Sequence, residues 1–218
     1  MRLVVFDLDG TLIDSAGLIA EALGQAFEAS GRRAPPRRDA LSVVGLSLPE
    51  AIAKLAPDLD ALGLERLTAD CAHALAGARG RPPAAFAGAA EMLAKLDADP
   101  KTLVGVATGA SRRGMTAMLE GAGLSGLFDT LQCADDHPSK PHPAMLREAM
   151  AVTGVPAGRT TMVGDTTYDI LMAVDSGARA LGAGWGHHGR DVLMAAGAEA
   201  VAADFAALER LLAQDAPA

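Results

Sequence analysis

Four short apolar runs in this 218-residue chain stop abruptly at polar residues, and that recurrence limits the fold more than any other feature. Residues 3–6 run into Asp7-Leu8-Asp9-Gly10, and residues 102–107 into Thr108-Gly109. Residues 128–133 end at Ala134-Asp135-Asp136, and residues 160–163 at Gly164-Asp165. Runs this short and this apolar read as strands buried on both faces. Weaker strands are expected over 179–184 and 199–202. Between the runs the apolar spacing turns helical, over 88–96, 112–121, 143–152, 168–176, 191–196 and 205–212. Strands alternating with helices specify an α/β, Rossmann-like parallel sheet covered on both faces. Ligands bind such sheets beyond the carboxyl ends of the strands, where these polar clusters fall.

The stretch 15–83 breaks the alternation, having no strand signal. Helices are expected over 15–30, with Gly31 closing the first, and over 48–56 and 64–78. Residues 32–38, with Pro35-Pro36 inside, read as a loop, and Arg81-Pro82-Pro83 punctuates the end. The expected organisation is therefore an all-helical insert, 15–83, in a catalytic core made of 1–14 and 84–218.

Half of the residues are hydrophobic, enough to offset the entropy of ordering and so to exclude disorder. A net charge of −8 with no long basic run disfavours nucleic acid. No uncharged stretch exceeds ten residues, whereas a membrane helix needs roughly 20 apolar ones. The run 3–6 is cut by Asp7, which is too short for a signal peptide. Two cysteines, Cys71 and Cys133, imply no disulfide framework, so a reducing cytoplasm is expected.

The chemistry is concentrated at the strand ends. Asp7 and Asp9 leave one strand together and can meet one ligand, with Gly10 permitting a sharp turn. Such a pair suits a hard cation such as Mg²⁺, or a nucleophile with a general acid beside it. In isolation it would equally be an Asx-bonded turn. Thr108 and Gly109 offer a hydroxyl and a backbone amide at a helix entry, an anion site or a plain cap. Lys140, one of only four lysines, can neutralise a phosphate as a point charge, unless it is an ordinary surface residue. Asp165 adds a carboxylate at the same edge, unless it caps the following helix, and Asp169 lies four residues on. Falling in order at successive strand ends, the four clusters together favour a phosphate-plus-metal site.

The order Asp7-Leu8-Asp9-Gly10-Thr11-Leu12, Thr108-Gly109, Lys140-Pro141, Gly164-Asp165-x-x-x-Asp169 resembles the haloacid dehalogenase superfamily of phosphatases across essentially the whole chain. The helical insert resembles the C1 cap of its phosphoglycolate phosphatase-like branch, as does the tail from Gly184-Trp185-Gly186 onward. The resemblance implies that Asp7 attacks phosphorus and becomes an aspartyl phosphate. Asp9 would protonate the leaving oxygen and then activate water. Mg²⁺ would be held by Asp7, the Asp9 carbonyl and Asp165, with Asp169 supporting the metal waters or Lys140. Thr108, Gly109 and Lys140 would bind the phosphoryl oxygens. The implied partner is a small phosphate ester, not nucleic acid or membrane, with monomer and homodimer both open. Phosphoglycolate is the branch-level substrate, with sugar phosphates and pyrophosphate as alternatives.

Gly109 stands where Asn is commoner in the family, and the chain has no Asn at all. Asp9 argues against dehalogenase and phosphonate hydrolase activities, and Thr11 against a mutase. A sugar phosphomutase and a silent phospholigand-binding regulator are the alternatives. Arg32, Arg33, Arg37 and Arg38 read as a solvated loop rather than an anion clamp. Lys54 reads as a solvated helix residue and Cys133 as core. Adjacent His187 and His188 point to opposite faces of an extended chain and so do not form a joint metal site. Trp185 would shape the cleft or anchor a partner.

Overall fold

The computed structural model describes residues 1–77 and 83–213. Six strands form one sheet: β1 (Arg2–Phe6), β2 (Thr102–Thr108), β3 (Thr130–Cys133), β4 (Thr160–Gly164), β5 (Arg179–Ala183) and β6 (Ala200–Ala202). Their order is β3-β2-β1-β4-β5-β6, and every neighbouring pair is parallel. The chain builds outward from β1 to β3, then crosses back and builds outward from β4 to β6. β1 and β4 therefore flank the point where the strand order reverses, the site at which open parallel sheets leave a crevice.

Alternate residues of each strand feed opposite faces. Val4, Phe6, Val104, Val106, Val163 and Leu181 share one core cluster, and Leu3, Val5, Ala107, Met162 and Ala180 share the other. The first face is covered by α5 (Ala89–Asp97), α6 (Arg112–Gly121) and α10 (Phe205–Ala213), through Leu93, Met115 and Leu208. The second is covered by α7 (Ala144–Thr153), α8 (Thr167–Ser176) and α9 (Arg190–Ala195), through Leu146, Ile170 and Leu193. The result is a three-layer α/β, Rossmann-like architecture. No helix among the described residues is long and apolar enough to cross a membrane.

Between β1 and α5 lie α1 (Ala16–Ala29), α2 (Arg37–Ser42), α3 (Leu48–Leu55) and α4 (Ala61–Gly77). They pack on one another through Leu23, Phe27, Ala40, Ile52, Leu67 and Cys71, a cluster separate from the two sheet faces. Gly31 closes α1 with φ +74°, as expected.

Three expectations shift. The loop expected over 32–38 gives way at Arg37 to α2, which Pro36 starts with an extended ψ of 141° and Ala40 anchors by burial. Six residues are too few to show a helical period, and a proline pair marks a loop and a helix entry alike. β3 begins at Thr130 because Asp129 instead uses its carboxylate to accept the Val104 amide, at 2.8 Å. α4 starts at Ala61, before the expected 64, with Asp60 Oδ1 accepting the Gly63 amide at 2.8 Å. Ala78 and the Arg81-Pro82 part of the expected break lie outside the described residues.

Candidate active site

The sheet register brings three strand ends side by side. Phe6 pairs with Val106 on one flank and Val163 on the other. The Asp7 amide donates to the Val163 carbonyl at 3.0 Å. Asp7, Thr108 and Asp165 therefore emerge at one edge, all fully buried.

Lys140 reaches this edge from the loop between β3 and α7. It is not a surface lysine: its ammonium lies 2.8 Å from Asp7 Oδ1 and 2.6 Å from Asp169 Oδ1, with no exposed side-chain area. Asp169 turns inward from the first turn of α8, and its Oδ2 accepts the Thr166 amide at 3.1 Å and the Thr166 hydroxyl at 2.7 Å. The helix is thus entered through Thr166, whose backbone is still extended at φ −120° and ψ 159°. Asp165 is free of capping duty and faces Asp7.

Asp165 is held from two sides. Its Oδ1 accepts the Thr11 hydroxyl at 2.8 Å, and its Oδ2 accepts the His187 amide at 2.8 Å and lies 2.6 Å from His187 Nδ1. The Trp185 indole donates to the Thr11 carbonyl at 3.0 Å. His188 turns elsewhere and accepts the Thr167 amide on Nδ1 at 3.0 Å. The two histidines thus diverge, in a stretch where the chain bends and is not extended. Gly10 makes the crossing possible: its φ is +85°, and a Cβ there would lie 2.2 Å from His187 Nδ1. No local pattern in the sequence marks Thr11 and His187 as holders of Asp165. The available signal was slight, a lone Trp next to a pair of histidines in an alanine-rich chain.

Burial raises the Asp7 carboxyl well above its usual range; Lys140 opposes this, while Asp169 and Asp165 add to it. Burial also raises Asp9, with the Asp165 carboxylate adding to the shift. Burial works against charge on Lys140, but Asp169 and Asp7 outweigh it and hold the ammonium above its ordinary value. His187 follows the same pattern, with burial opposed and outweighed by Asp165.

Carboxylate oxygens of Asp7, Asp165 and Asp169 all lie within 4.8 Å of one another. Asp7 Oδ2 is buried without a hydrogen-bond partner. A buried, unpaired carboxylate oxygen is costly unless something positive meets it. Hard oxygen donors at this spacing fit a hard divalent cation. The Asp9 side chain is outside the three-carboxylate group, which leaves its carboxyl available as an acid.

Thr108 Oγ1 accepts the Ala110 amide at 3.1 Å, leaving its own proton to donate. Gly109 touches the loop between α2 and α3: a Cβ on it would lie 2.3 Å from the Leu46 carbonyl oxygen and 2.6 Å from that of Gly45. The same loop is tied down where the Ser47 amide donates to Ser139 Oγ at 2.8 Å. Beneath it lies a cavity of about 330 Å³ that reaches Asp9 and Gly109. Arg32, Arg33, Arg37 and Arg38 do not line this cavity. Arg32 instead pairs with Asp58 at 2.5 Å. Lys54 donates to the Tyr168 hydroxyl at 3.1 Å on the surface. Cys133 is buried and donates to Asp136, and burial first, then that contact, raises its thiol pKa, which is core behaviour and not that of a nucleophile.

Residues 4–183 match the family model of the haloacid dehalogenase-like hydrolases. The chain is 40% identical over 203 residues to a Dickeya dadantii protein named probable phosphatase IndB, spanning 89% of this chain and 86% of that one. It is 30% identical over 200 residues to a phosphoglycolate phosphatase of Pseudomonas fluorescens, spanning 88% and 72%. Among solved structures, a hydrolase from Pseudomonas syringae superposes with a TM-score of 0.88 at 26% identity, covering 98% of each chain.

Proposed function

The chain belongs to the haloacid dehalogenase-like hydrolase family, and from that premise we propose that it is a Mg²⁺-dependent phosphatase of a small phosphorylated metabolite, working through an aspartyl phosphate on Asp7. The observation that carries the proposal is the buried Asp7 Oδ2, left unpaired beside Lys140 and two further carboxylates.

Asp7 Oδ2 attacks the phosphorus in line, and the bond to the ester oxygen breaks. Asp9, kept protonated more readily by burial, gives its proton to that oxygen, and the alcohol leaves. The Asp9 carboxylate then takes a proton from water as the water attacks phosphorus, the Asp7–phosphorus bond breaks, and phosphate departs. The Thr108 hydroxyl, the Gly109 amide and the remaining Lys140 proton bind the phosphoryl oxygens throughout. Phosphoryl transfer depends mostly on such positioning and charge neutralisation. Asp7, the Asp9 carbonyl and Asp165 would hold the cation, which when bound neutralises phosphoryl charge. Thr11 and His187 fix the Asp165 carboxylate, and Thr166 and Lys140 occupy Asp169, which gives Asp169 a supporting part.

Residues 15–83 serve as the cap over a core of 1–14 and 84–218. The separate apolar cluster of α1–α4 and the contact of the Gly45–Leu46 backbone with Gly109 support that division. A cytoplasmic location belongs to the same reading, and the two buried free cysteines are in keeping with it.

Phosphate release from a panel of monoesters in Mg²⁺ tests the proposal. Wild-type protein should turn over at least one ester, and Asp7→Asn should lose at least roughly 10³-fold in rate. No release from any ester, or equal rates for the two proteins, would overturn it.

A further inference from the structure

The cavity that ends on Asp9 and Gly109 is where the proposed mechanism puts the leaving group, and its walls are unlike those an anion needs. Leu18 and Ile19 of α1, Val43 and Val44 after α2, Leu46 of the covering loop and Met118 of α6 make most of it apolar. Among the described residues, no lysine, arginine or histidine lines it. Its charged side chains are two carboxylates, Asp9 and Asp135.

We propose that this cavity selects phosphate esters of an uncharged, largely apolar alcohol. The inference rests on the phosphatase reading above and names its substrate class. A carboxylate on the leaving group, as in phosphoglycolate, would face Asp9 and Asp135 with no cation to meet it among the described lining residues. The second phosphate of pyrophosphate meets the same field, with more charge. A sugar fails differently, because several hydroxyls would be buried against few polar partners. Among the described residues, the side-chain hydroxyls that line it are only those of Ser47 and Ser111, and Ser111 Oγ already accepts the Gly114 amide at 3.1 Å.

Three of the described basic residues of α1–α4 and their loops are directed elsewhere. Arg32 is held by Asp58 and Lys54 by Tyr168, and Arg38 borders a different cleft with His187 and His188. A volume of about 330 Å³ admits a compact ring or short alkyl group, at the small end of the roughly 300–1,000 Å³ typical of ligand sites. Apolar walls with a few polar groups at one end are the usual construction of such a site.

The test compares kcat/KM in Mg²⁺ for benzyl phosphate and hexyl phosphate with that for phosphoglycolate, pyrophosphate and glucose 6-phosphate. The esters of the neutral, apolar alcohols should lead by at least about tenfold, mainly through KM. Leu18→Arg, which puts a cation into the wall from a half-buried position, should narrow the gap to phosphoglycolate at least about tenfold. Met118→Lys gives the same readout from the opposite wall if the first variant does not fold. Equal or better turnover of phosphoglycolate, pyrophosphate or glucose 6-phosphate by wild type overturns this inference and leaves the phosphatase reading standing. Phosphate release from none of these five compounds, nor from any ester of the wider panel, removes both.

Discussion

Asp7 occupies a position that the metal-free protein tolerates at a cost. Its folded carboxyl binds its proton more tightly than the unfolded one, because burial and the neighbouring Asp169 and Asp165 outweigh Lys140. The sign of the linkage follows: native stability declines as pH rises above the unfolded value of about 3.9, and the loss is complete above the folded value. Asp7→Asn removes the charge. In EDTA at pH 7 the variant should be more stable than wild type by on the order of 1–3 kcal/mol, the gap closing as pH falls toward 4. Urea denaturation across that range checks it, and a variant less stable at pH 7 would contradict the stated balance of charges. At this scale the sequence marked Asp7, Thr108 and Asp165 as residues at strand ends, and the fold brings them to one buried edge together with Lys140 from the loop after β3. It was silent on Thr11 and His187, whose partner Asp165 is distant in the chain and meets them only across Gly10.

The elements meet most closely where the loop between α2 and α3 rests on the end of β2. Gly109 has no side chain there because the Leu46 and Gly45 carbonyls occupy its place. That contact supplies a physical reason for glycine where the family more often has Asn. Gly109→Ala should force the loop outward, lowering stability by about 1–3 kcal/mol and kcat/KM by at least tenfold. Gly17→Ala is the control: it lies in α1 with nothing within 4 Å of the added Cβ, and it should stabilise by about 0.5–1 kcal/mol. Thermal melts and steady-state kinetics of the two variants separate a local clash from a general effect of alanine. The long elements were legible in the sequence because a period of two or of 3.6 had room to repeat. The six-residue α2 was not, and its start at Pro36 becomes apparent only once Ala40 is seen buried against the other helices.

For the whole molecule, a cation that binds only the folded arrangement of Asp7 and Asp165 must stabilise the fold. Mg²⁺ at about a hundred times its dissociation constant should add about 2.7 kcal/mol, which for a chain of this size raises the melting temperature by roughly 5–10 °C. Scanning calorimetry with Mg²⁺ and then with excess EDTA checks it, and a melting temperature indifferent to Mg²⁺ would count against the metal assignment. The negative net charge is no obstacle to an anionic substrate, since a divalent cation would, with Lys140, offset the charge of Asp7, Asp165 and Asp169 locally.

The sequence by itself determined the alternation of strands and helices, the helical stretch after β1 and the strand-end location of the polar clusters. Those properties depend on local pattern, and local pattern is written in consecutive residues. Only the tertiary structure decided that Lys140 is buried between Asp7 and Asp169, that Thr11 and His187 hold Asp165, and that the cavity above Asp9 is apolar. Each of these joins segments separated by tens of residues or more. Their meeting is set by sheet order and register, which no local period encodes.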